Sequence, residues 1–212
     1  MGIIGVVAAL TLPNLNNSTG EKEKVAKVKK IYQNLNDAFG RAQAIYGPYD
    51  TWGLSGNGWD SFEKASERII EFMKISKSCG RNYNGGCKTS GFPHEFDGSE
   101  ASGGDDGCTY ILADGSSIEI FGFSSNPYIF VDIDGPNKGP YAHGKDVFIF
   151  EATDELGYEN GFYPNGLQAP TSYRDYTAWV IAFDNMDYLK LSGGKCPDGK
   201  TILNVTTNTT CK

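Results

Sequence analysis

The first 46 residues limit the folds open to this chain more than any other stretch does. Ten almost wholly apolar residues, 3–12, precede Pro13 and a polar patch over residues 14–20. From residue 21 onwards apolar side chains recur three and four positions apart, which places them on one stripe of a helix. These positions are Val25, Val28, Tyr32, Leu35, Phe39, Ala42 and Tyr46, with Ile31, Ala38 and Ile45 beside them. The pattern predicts a helical stem, residues 1–46, that carries one head, residues 47–212.

The apolar run at the start of the stem is short for a membrane-spanning helix. Ten helical residues extend about 15 Å, whereas the hydrocarbon core of a bilayer is about 30 Å thick. The run also lacks the basic leader and the small-residue cleavage site of a complete signal peptide. We therefore interpret it as the second half of a longer hydrophobic segment. We expect Pro13 to kink or locally melt the helix.

The charge of the chain is acidic overall but basic in the stem. A net charge of −7 over 212 residues argues against nonspecific nucleic-acid binding. Residues 21–30, however, contain five lysines and two glutamates. Such a basic patch beside an apolar run can contact anionic lipid headgroups. The alternative is a solvated helix face with Glu–Lys pairing.

All five cysteines lie in the head, and their spacing is not that of a C-x-x-C zinc site. Their Gly- and Lys-rich surroundings favour disulfides in an exported head. We predict the pairs Cys79–Cys87 and Cys196–Cys211, because each pair brackets a short loop. Cys108 precedes a strand and is predicted to be a buried free thiol. The alternative is five reduced cysteines in a cytosolic protein.

The head contains four strand-like segments, at residues 109–113, 117–122, 128–133 and 146–151. Asp114-Gly115 between the first two is a strong tight-turn signal and predicts a hairpin. A second helix is predicted over residues 61–76 with Asp60 as its cap, while residues 176–191 fit either a helix or a strand. Residues 77–107 and 158–173 are predicted as loops. Together these elements predict an α+β fold.

Four side chains with oxygen ligands surround the Gly- and Pro-rich stretch 132–146. They belong to Asp132, Asp134, Asn137 and Asp146. Calcium binds in flexible loops of this kind, although the spacing is not the twelve-residue EF-hand pattern. The stretch predicts a calcium site, and no other cofactor is predicted. The alternative is a tight loop whose Asp and Asn side chains bond its own backbone.

The sequence gives no strong signal of catalysis. It contains no nucleophile elbow, zinc-protease motif, phosphate-binding loop or dinucleotide fingerprint. His143 lies near several aspartates, as in a metal hydrolase, but its simpler interpretation is a surface loop residue. We therefore predict no catalytic residue and no enzyme. Several aromatic side chains could stack on sugars or line a subunit contact, although core packing is commoner. They are Trp52, Trp59, Tyr83, Phe162 and Tyr163.

Residues 2–15 (GIIGVVAALTLPNL) resemble the second half of the N-terminal segment of type IV pilin-like proteins, which include the pseudopilins of type II secretion systems. In that family a peptidase removes a short basic leader, and the hydrophobic helix continues to a proline that matches Pro13. Residues 132–150 (DIDGPNKGPYAHGKDVFIF) resemble a head motif of the family, and residues 112–122 (LADGSSIEIFG) the hairpin before it. The family's leader, cleavage site and motif glutamate have no counterpart among the 212 residues.

The resemblance implies a long N-terminal helix packed on a four-stranded antiparallel sheet. It also implies a structural role, as a pseudopilin or minor type IV pilin. The expected partners are other pilin-like subunits, the inner membrane and the assembly machinery, with the head outside the cytoplasm or in a cell-surface filament. Calcium binds some major pseudopilins. The alternative function is a surface module that binds a glycan or protein. The implied filament and membrane helix comprises Ile3, Ile4, Val6, Val7, Leu10, Leu12 and Pro13.

Overall fold

One long helix and an antiparallel sheet define the fold of the chain in the computed structural model. The structure describes residues 3–52, 59–81, 85–101, 107–123, 126–152, 162–164 and 173–211. The α-helices are α1 (Ile3–Tyr46), α2 (Trp59–Ile70) and α3 (Tyr173–Phe183). Short 3-10 helices follow α1 and α3, at Tyr49–Trp52 and Asp187–Lys190. The strands are β1 (Ile75–Gly80), β2 (Cys108–Leu112), β3 (Ser117–Phe123), β4 (Asn126–Asp132), β5 (Val147–Ala152) and β6 (Phe162–Pro164).

The strands lie side by side in chain order, and every neighbouring pair is antiparallel. The predicted α+β class and the four predicted strands, β2 to β5, are confirmed. The predicted strand count of four is wrong, because β1 adds a fifth strand of similar length and β6 adds a three-residue edge. Strand β1 has the sequence ISKSCG, in which no residue is fully buried, and its pairing contains two register shifts. Such an irregular edge strand lacks the alternation by which strands are recognised.

Helix α1 supplies the stem, and its second half is part of the core. Val28, Ile31, Leu35 and Phe39 are at most 1% exposed. They join one cluster with inward-facing residues of β3, β4 and β5. The helix is continuous through Pro13, so the predicted local melting there is wrong. A single proline removes one backbone hydrogen bond, and here the turns on both sides remain helical.

The apolar stripe of α1 ends earlier than predicted. Ile45 is 63% exposed and Tyr46 is 38% exposed, beyond the point where the helix leaves the core. The Tyr46 ring instead lies 4.8 Å from the guanidinium of Arg68. Its hydroxyl donates a hydrogen bond to Glu71, 2.5 Å away.

Helices α2 and α3 complete the layer that covers the sheet. Helix α2 ends at Ile70, six residues before the predicted end, because residues 75–80 pair with β2 instead. It begins at Trp59, so Asp60 lies inside the helix and not at the predicted cap position. The ambiguous segment 176–191 is α-helical as far as Phe183, with Trp179 fully buried on α3, and forms the 3-10 helix at Asp187–Lys190.

The outer face of the sheet carries a second, smaller cluster of apolar residues. Phe130, Tyr141, Val147 and Ile149 are buried there. Half-buried aromatic rings pack against them, namely Phe92, Phe121 and Tyr128. Both faces of the sheet are therefore covered, which agrees with the fully buried pattern of β5.

Candidate functional site

The 132–146 loop joins β4 to β5 and brings the predicted oxygen ligands to one end of the sheet. Asp132 is the last residue of β4, and Asp146 immediately precedes β5. Their side chains are almost completely buried, at 3% and 0% exposure. Asp134 is half-buried and Asn137 is exposed. Two of the four predicted ligands therefore lie inside the protein, where a carboxylate needs compensation for lost hydration.

Asp132 uses only one of its two carboxylate oxygens. Its Oδ1 accepts hydrogen bonds from the backbone N–H groups of Asp134 and Gly135, at 3.1 and 3.0 Å. Its Oδ2 is buried and has no hydrogen-bond partner. Burial, and next the charge of Asp146, raises the pKa of Asp132 to about 7. A bound proton or a nearby cation would therefore stabilise this buried carboxyl group.

Asp146 holds the far end of the loop. Its Oδ2 accepts from the Tyr141 N–H at 2.8 Å, and its Oδ1 accepts from the Ala142 N–H at 2.7 Å. Burial raises the pKa of Asp146, and these hydrogen bonds oppose the shift only in part. The tight course of the loop is visible at Tyr141, which has a positive φ of 46°.

A glycine lets the two ends of the loop approach each other. Gly139 has φ +65°, and a Cβ built there would lie 2.3 Å from Asp146 Oδ2 and 3.2 Å from Asp134 Oδ2. The two carboxylate oxygens therefore lie close to the same point. A side chain at position 139 would occupy that point.

Two lysines of the stem contact the backbone and a carboxylate of this loop. The Lys24 ammonium lies 3.1 Å from Asp134 Oδ2 and donates to the Lys145 carbonyl, also at 3.1 Å. The Lys27 ammonium donates to the carbonyl of Ile133. Residues three apart share one face of a helix. Helix α1 therefore contacts both ends of the loop, through Lys24 at both ends and through Lys27 at Ile133.

The basic run of residues 21–30 is thus engaged largely by the head. Besides Lys24 and Lys27, Lys29 lies 2.5 Å from Asp184, just after α3. Glu21 lies 3.8 Å from the Lys190 ammonium. The prediction of a solvated face with Glu–Lys pairing within the stem missed these contacts. Contact with lipid headgroups stays a prediction. No sequence pattern identified the acceptors, because they lie more than 100 residues away.

The calcium prediction for the loop stays a prediction. Asp132 and Asp146 do bond the loop's own backbone, as the alternative interpretation expected. Within the described part of the chain, no group of three or more His, Cys, Asp or Glu side chains is placed to hold a metal ion. The unpartnered Asp132 Oδ2 fits a cation, whereas Asp134 already contacts Lys24.

His143 is a buried residue, so its interpretation as a surface loop residue is wrong. It is 1% exposed, and its ring packs edge-on against Phe92 and Phe130, with centroids 6.1 and 5.7 Å apart. Burial lowers the pKa of His143 to about 4. The imidazole is therefore neutral at pH 7 and shielded by aromatic rings. The prediction that the chain is not an enzyme stays a prediction.

Both predicted disulfides are present. Cys79 bonds Cys87 and Cys196 bonds Cys211, with Cα–Cα distances of 6.1 and 5.4 Å. Cys108 is a buried free thiol, as predicted. Burial, and next the charge of Glu63, raises its pKa, so the thiol stays protonated at neutral pH.

Trp52 is the one predicted surface aromatic whose side chain the structure describes. It is 5% exposed, and its ring lies 5.8 Å from that of Phe39 in the core. It is therefore a packing residue. The side chains of Trp59, Tyr83, Phe162 and Tyr163 lie outside the described part of the molecule, as do those of residues 3–13 on the stem.

Sequence reasoning also missed a buried ion pair on the sheet. The Lys88 ammonium lies 2.8 Å from a Glu119 carboxylate oxygen, and the two side chains are 2% and 5% exposed. Lys88 directly follows the disulfide at Cys87, so the pair fixes the disulfide-closed loop to β3. Neither residue stands out in the sequence, because isolated Lys and Glu are usually exposed.

The comparisons with known proteins return nothing for this chain. No family model, no curated protein and no solved structure matches it. Across the described residues, no helix is both long enough and apolar enough to cross a membrane.

Proposed function

We propose that this chain is a structural subunit of a pilus-like filament, either a pseudopilin of a type II secretion system or a minor type IV pilin. It assembles through its N-terminal helix with other pilin-like subunits. That helix inserts into the inner membrane and contacts the assembly machinery, and the head lies outside the cytoplasm. The observation that carries the proposal is helix α1, which is one 44-residue helix with two different halves.

The two halves of α1 suit different tasks. Between Val25 and Ala42 its inward-facing apolar side chains are buried by the head. Residues 3–20 continue the same helix without a charged residue, and their first ten are almost wholly apolar. An apolar stem can pass from lipid into a bundle of identical stems, because both environments bury it. Head-to-tail contacts that do not close into a ring then produce filaments.

A single charge in the stem tests the proposal. Leu10→Asp places a carboxylate in the apolar half, and Ala44→Asp places the same charge at an exposed position of the same helix. In the producing bacterium, we expect Leu10→Asp to reduce the chain in sheared filaments and in the membrane fraction by more than about tenfold. Ala44→Asp should leave both fractions unchanged.

Thermal unfolding separates assembly from folding in this experiment. Among the side chains of α1 that the structure describes, burial begins at Val25, far from Leu10, so both variants should unfold at the wild-type temperature. The proposal fails if Leu10→Asp enters filaments as well as the wild type does. It also fails if the wild-type chain occurs in neither fraction.

A surface binding module is the second candidate. One observation favours it: the rings of Phe121 and Tyr128 stack 5.7 Å apart on the outer sheet face and are only half-buried. The exposed part of such an aromatic pair offers an apolar surface on which a sugar ring can pack. Glycan-array binding by the wild type that Phe121→Ala abolishes would support this function. An array on which the wild type binds no glycan would rule out a glycan as the ligand.

A further inference from the structure

The contacts between the stem and the 132–146 loop have a consequence that does not depend on the filament proposal. The loop gathers three carboxylates, those of Asp132, Asp134 and Asp146, at one end of the sheet. Each of the two buried ones already bonds two backbone N–H groups. These neutral donors do not balance the charge of a buried carboxylate, and Asp132 Oδ2 has no hydrogen-bond partner.

A cation is present beside two of these carboxylates, Asp134 and Asp146, and it belongs to the stem. The Lys24 ammonium contacts Asp134 Oδ2 and the Lys145 carbonyl, each at 3.1 Å. Asp134 Oδ2 and Asp146 Oδ2 lie close to the same point beside Gly139. The Lys24 charge therefore also acts on Asp146, whose pKa it lowers against the effect of burial.

The position of the ammonium resembles that of a bound ion. One of its contacts is a carboxylate and another is a backbone carbonyl, and these are the two oxygen types that bind calcium in protein loops. Lys27 donates to a second loop carbonyl, that of Ile133, one residue before Asp134. The helix therefore supplies positive charge at both ends of the loop.

We propose that Lys24 is the loop's own cation: its ammonium takes the place that a divalent ion would fill beside Asp134, Asp146 and the Lys145 carbonyl. The loop motif then fastens the stem to the head. Docking of α1 and closure of the loop are one event, because the helix brings the charge that the loop lacks. Removal of this ammonium makes the loop responsive to an added divalent cation.

Thermal unfolding of the full chain, in EDTA and in millimolar calcium chloride, tests this proposal. The variants are Lys24→Met and a control, Lys22→Met, which removes an exposed lysine from the same helix. In EDTA we expect Lys24→Met to lower the midpoint by about 2–4 °C. Calcium should restore much of that loss. The wild type and Lys22→Met should have equal midpoints in both solutions.

A second substitution shows whether the calcium effect comes from the loop. The double variant Lys24→Met/Asp134→Asn removes one carboxylate along with the ammonium, so its midpoint should no longer rise with calcium. Titration calorimetry with calcium chloride should give heat for Lys24→Met and none for the wild type.

Three results would overturn the proposal. One is calcium binding by the wild type with a rise in midpoint, because the loop would then hold a metal beside Lys24. Another is a Lys24→Met variant with the wild-type midpoint in EDTA. The third is a calcium response that persists unchanged in the double variant.

Discussion

Two connections of the same sheet, each built around aspartate and glycine, show different ways to hold a carboxylate. The β2–β3 turn contains Asp114, which is exposed. The β4–β5 connection contains Asp132 and Asp146, which are buried. Asp114 Oδ1 accepts from the N–H and the hydroxyl of Ser116, at 3.1 and 2.8 Å. Asp114 thus takes its hydrogen bonds from within the turn, with Lys27 and Lys30 of α1 acting on it only through their charge. The long loop, in contrast, accepts hydrogen bonds directly from lysines of α1.

The pKa shifts of the two connections point in opposite directions. Burial alone would raise the pKa of Asp114, but the hydrogen bonds from Ser116 outweigh it, and the pKa lies below its usual range. Burial raises the pKa of Asp132 to about 7. An exposed turn carboxylate therefore stabilises the fold when charged, and a buried one does so when neutral or compensated.

The largest expected difference between the connections is the effect of losing the carboxylate. Asp146→Ala leaves the buried N–H groups of Tyr141 and Ala142 without an acceptor and should cost about 3 kcal/mol. Asp114→Ala should cost about 1 kcal/mol or less, because water can replace its acceptor. Chemical denaturation of both variants checks this. Equal losses would show that the loop is no more dependent on its carboxylate than the turn is.

Glycine substitution gives the next largest difference. Gly115 and Gly139 both have positive φ, so alanine is strained at either position, at about 1–2 kcal/mol. Only Gly139→Ala also drives a Cβ into Asp146 Oδ2, whereas nothing lies within 4 Å at Gly115. We expect Gly139→Ala to be the less stable of the two by about 2 kcal/mol. Matched denaturation curves would refute this if the order were reversed.

The pH dependence of stability should separate the two aspartates by sign. The pKa of Asp132 is raised in the folded state, so its contribution is fully present below about pH 4 and is lost as pH rises towards about 7. The stability of the wild type relative to Asp132→Asn should therefore fall across that window, by at most about 1.4 kcal/mol per pH unit.

Asp114 should behave in the opposite way. Its folded pKa is lowered, so the stability of the wild type relative to Asp114→Asn is present above about pH 4 and is lost in stronger acid. Comparison with the wild type at each pH cancels the separate contribution of His143. A flat difference for Asp132→Asn between pH 4 and 7 would contradict its raised pKa.

The smallest expected effects distinguish stem lysines that contact the loop from one that does not. Lys27→Met removes a donor to the buried carbonyl of Ile133 and should cost about 1 kcal/mol. Lys29→Met breaks a pair with Asp184 in which the two side chains are 35% and 68% exposed, and should cost about 0.5 kcal/mol or less. A larger loss of stability for Lys29→Met than for Lys27→Met would show that the stem is held mainly by Asp184 after α3 and not by the loop.

The same contrast explains what sequence alone could predict. The Asp114-Gly115 hairpin was predicted because a tight turn depends only on neighbouring residues. Both disulfides were predicted because each closes a short segment. The stem helix was predicted from its periodicity, although Ile45 and Tyr46 lie beyond the core. The edge strands β1 and β6 were missed, since one is polar and irregular and the other has three residues.

The candidate site was predicted only in part. The aspartates of the 132–146 stretch stood out by spacing, but nothing in the spacing showed that Asp132 and Asp146 are buried. The lysine run was read as part of a solvated or lipid-facing helix. Its acceptors depend on where α1 crosses the sheet, and that crossing is a property of the whole fold. Burial of Lys88 and Glu119 has the same origin.

The stem lysines and their acceptors are far apart along the sequence, and this distance matters while the chain is being synthesised. Lys24 and the carbonyl it contacts are 121 positions apart, and Lys29 and Asp184 are 155 apart. Translation proceeds at about 5–20 residues per second, so roughly 8–30 s pass between synthesis of the apolar stripe of the stem and synthesis of the last part of its partner surface. Until then the cluster that buries Val28, Ile31 and Leu35 lacks its members from α3. A nascent chain of this design needs something else to cover that stripe until the second half of the head emerges.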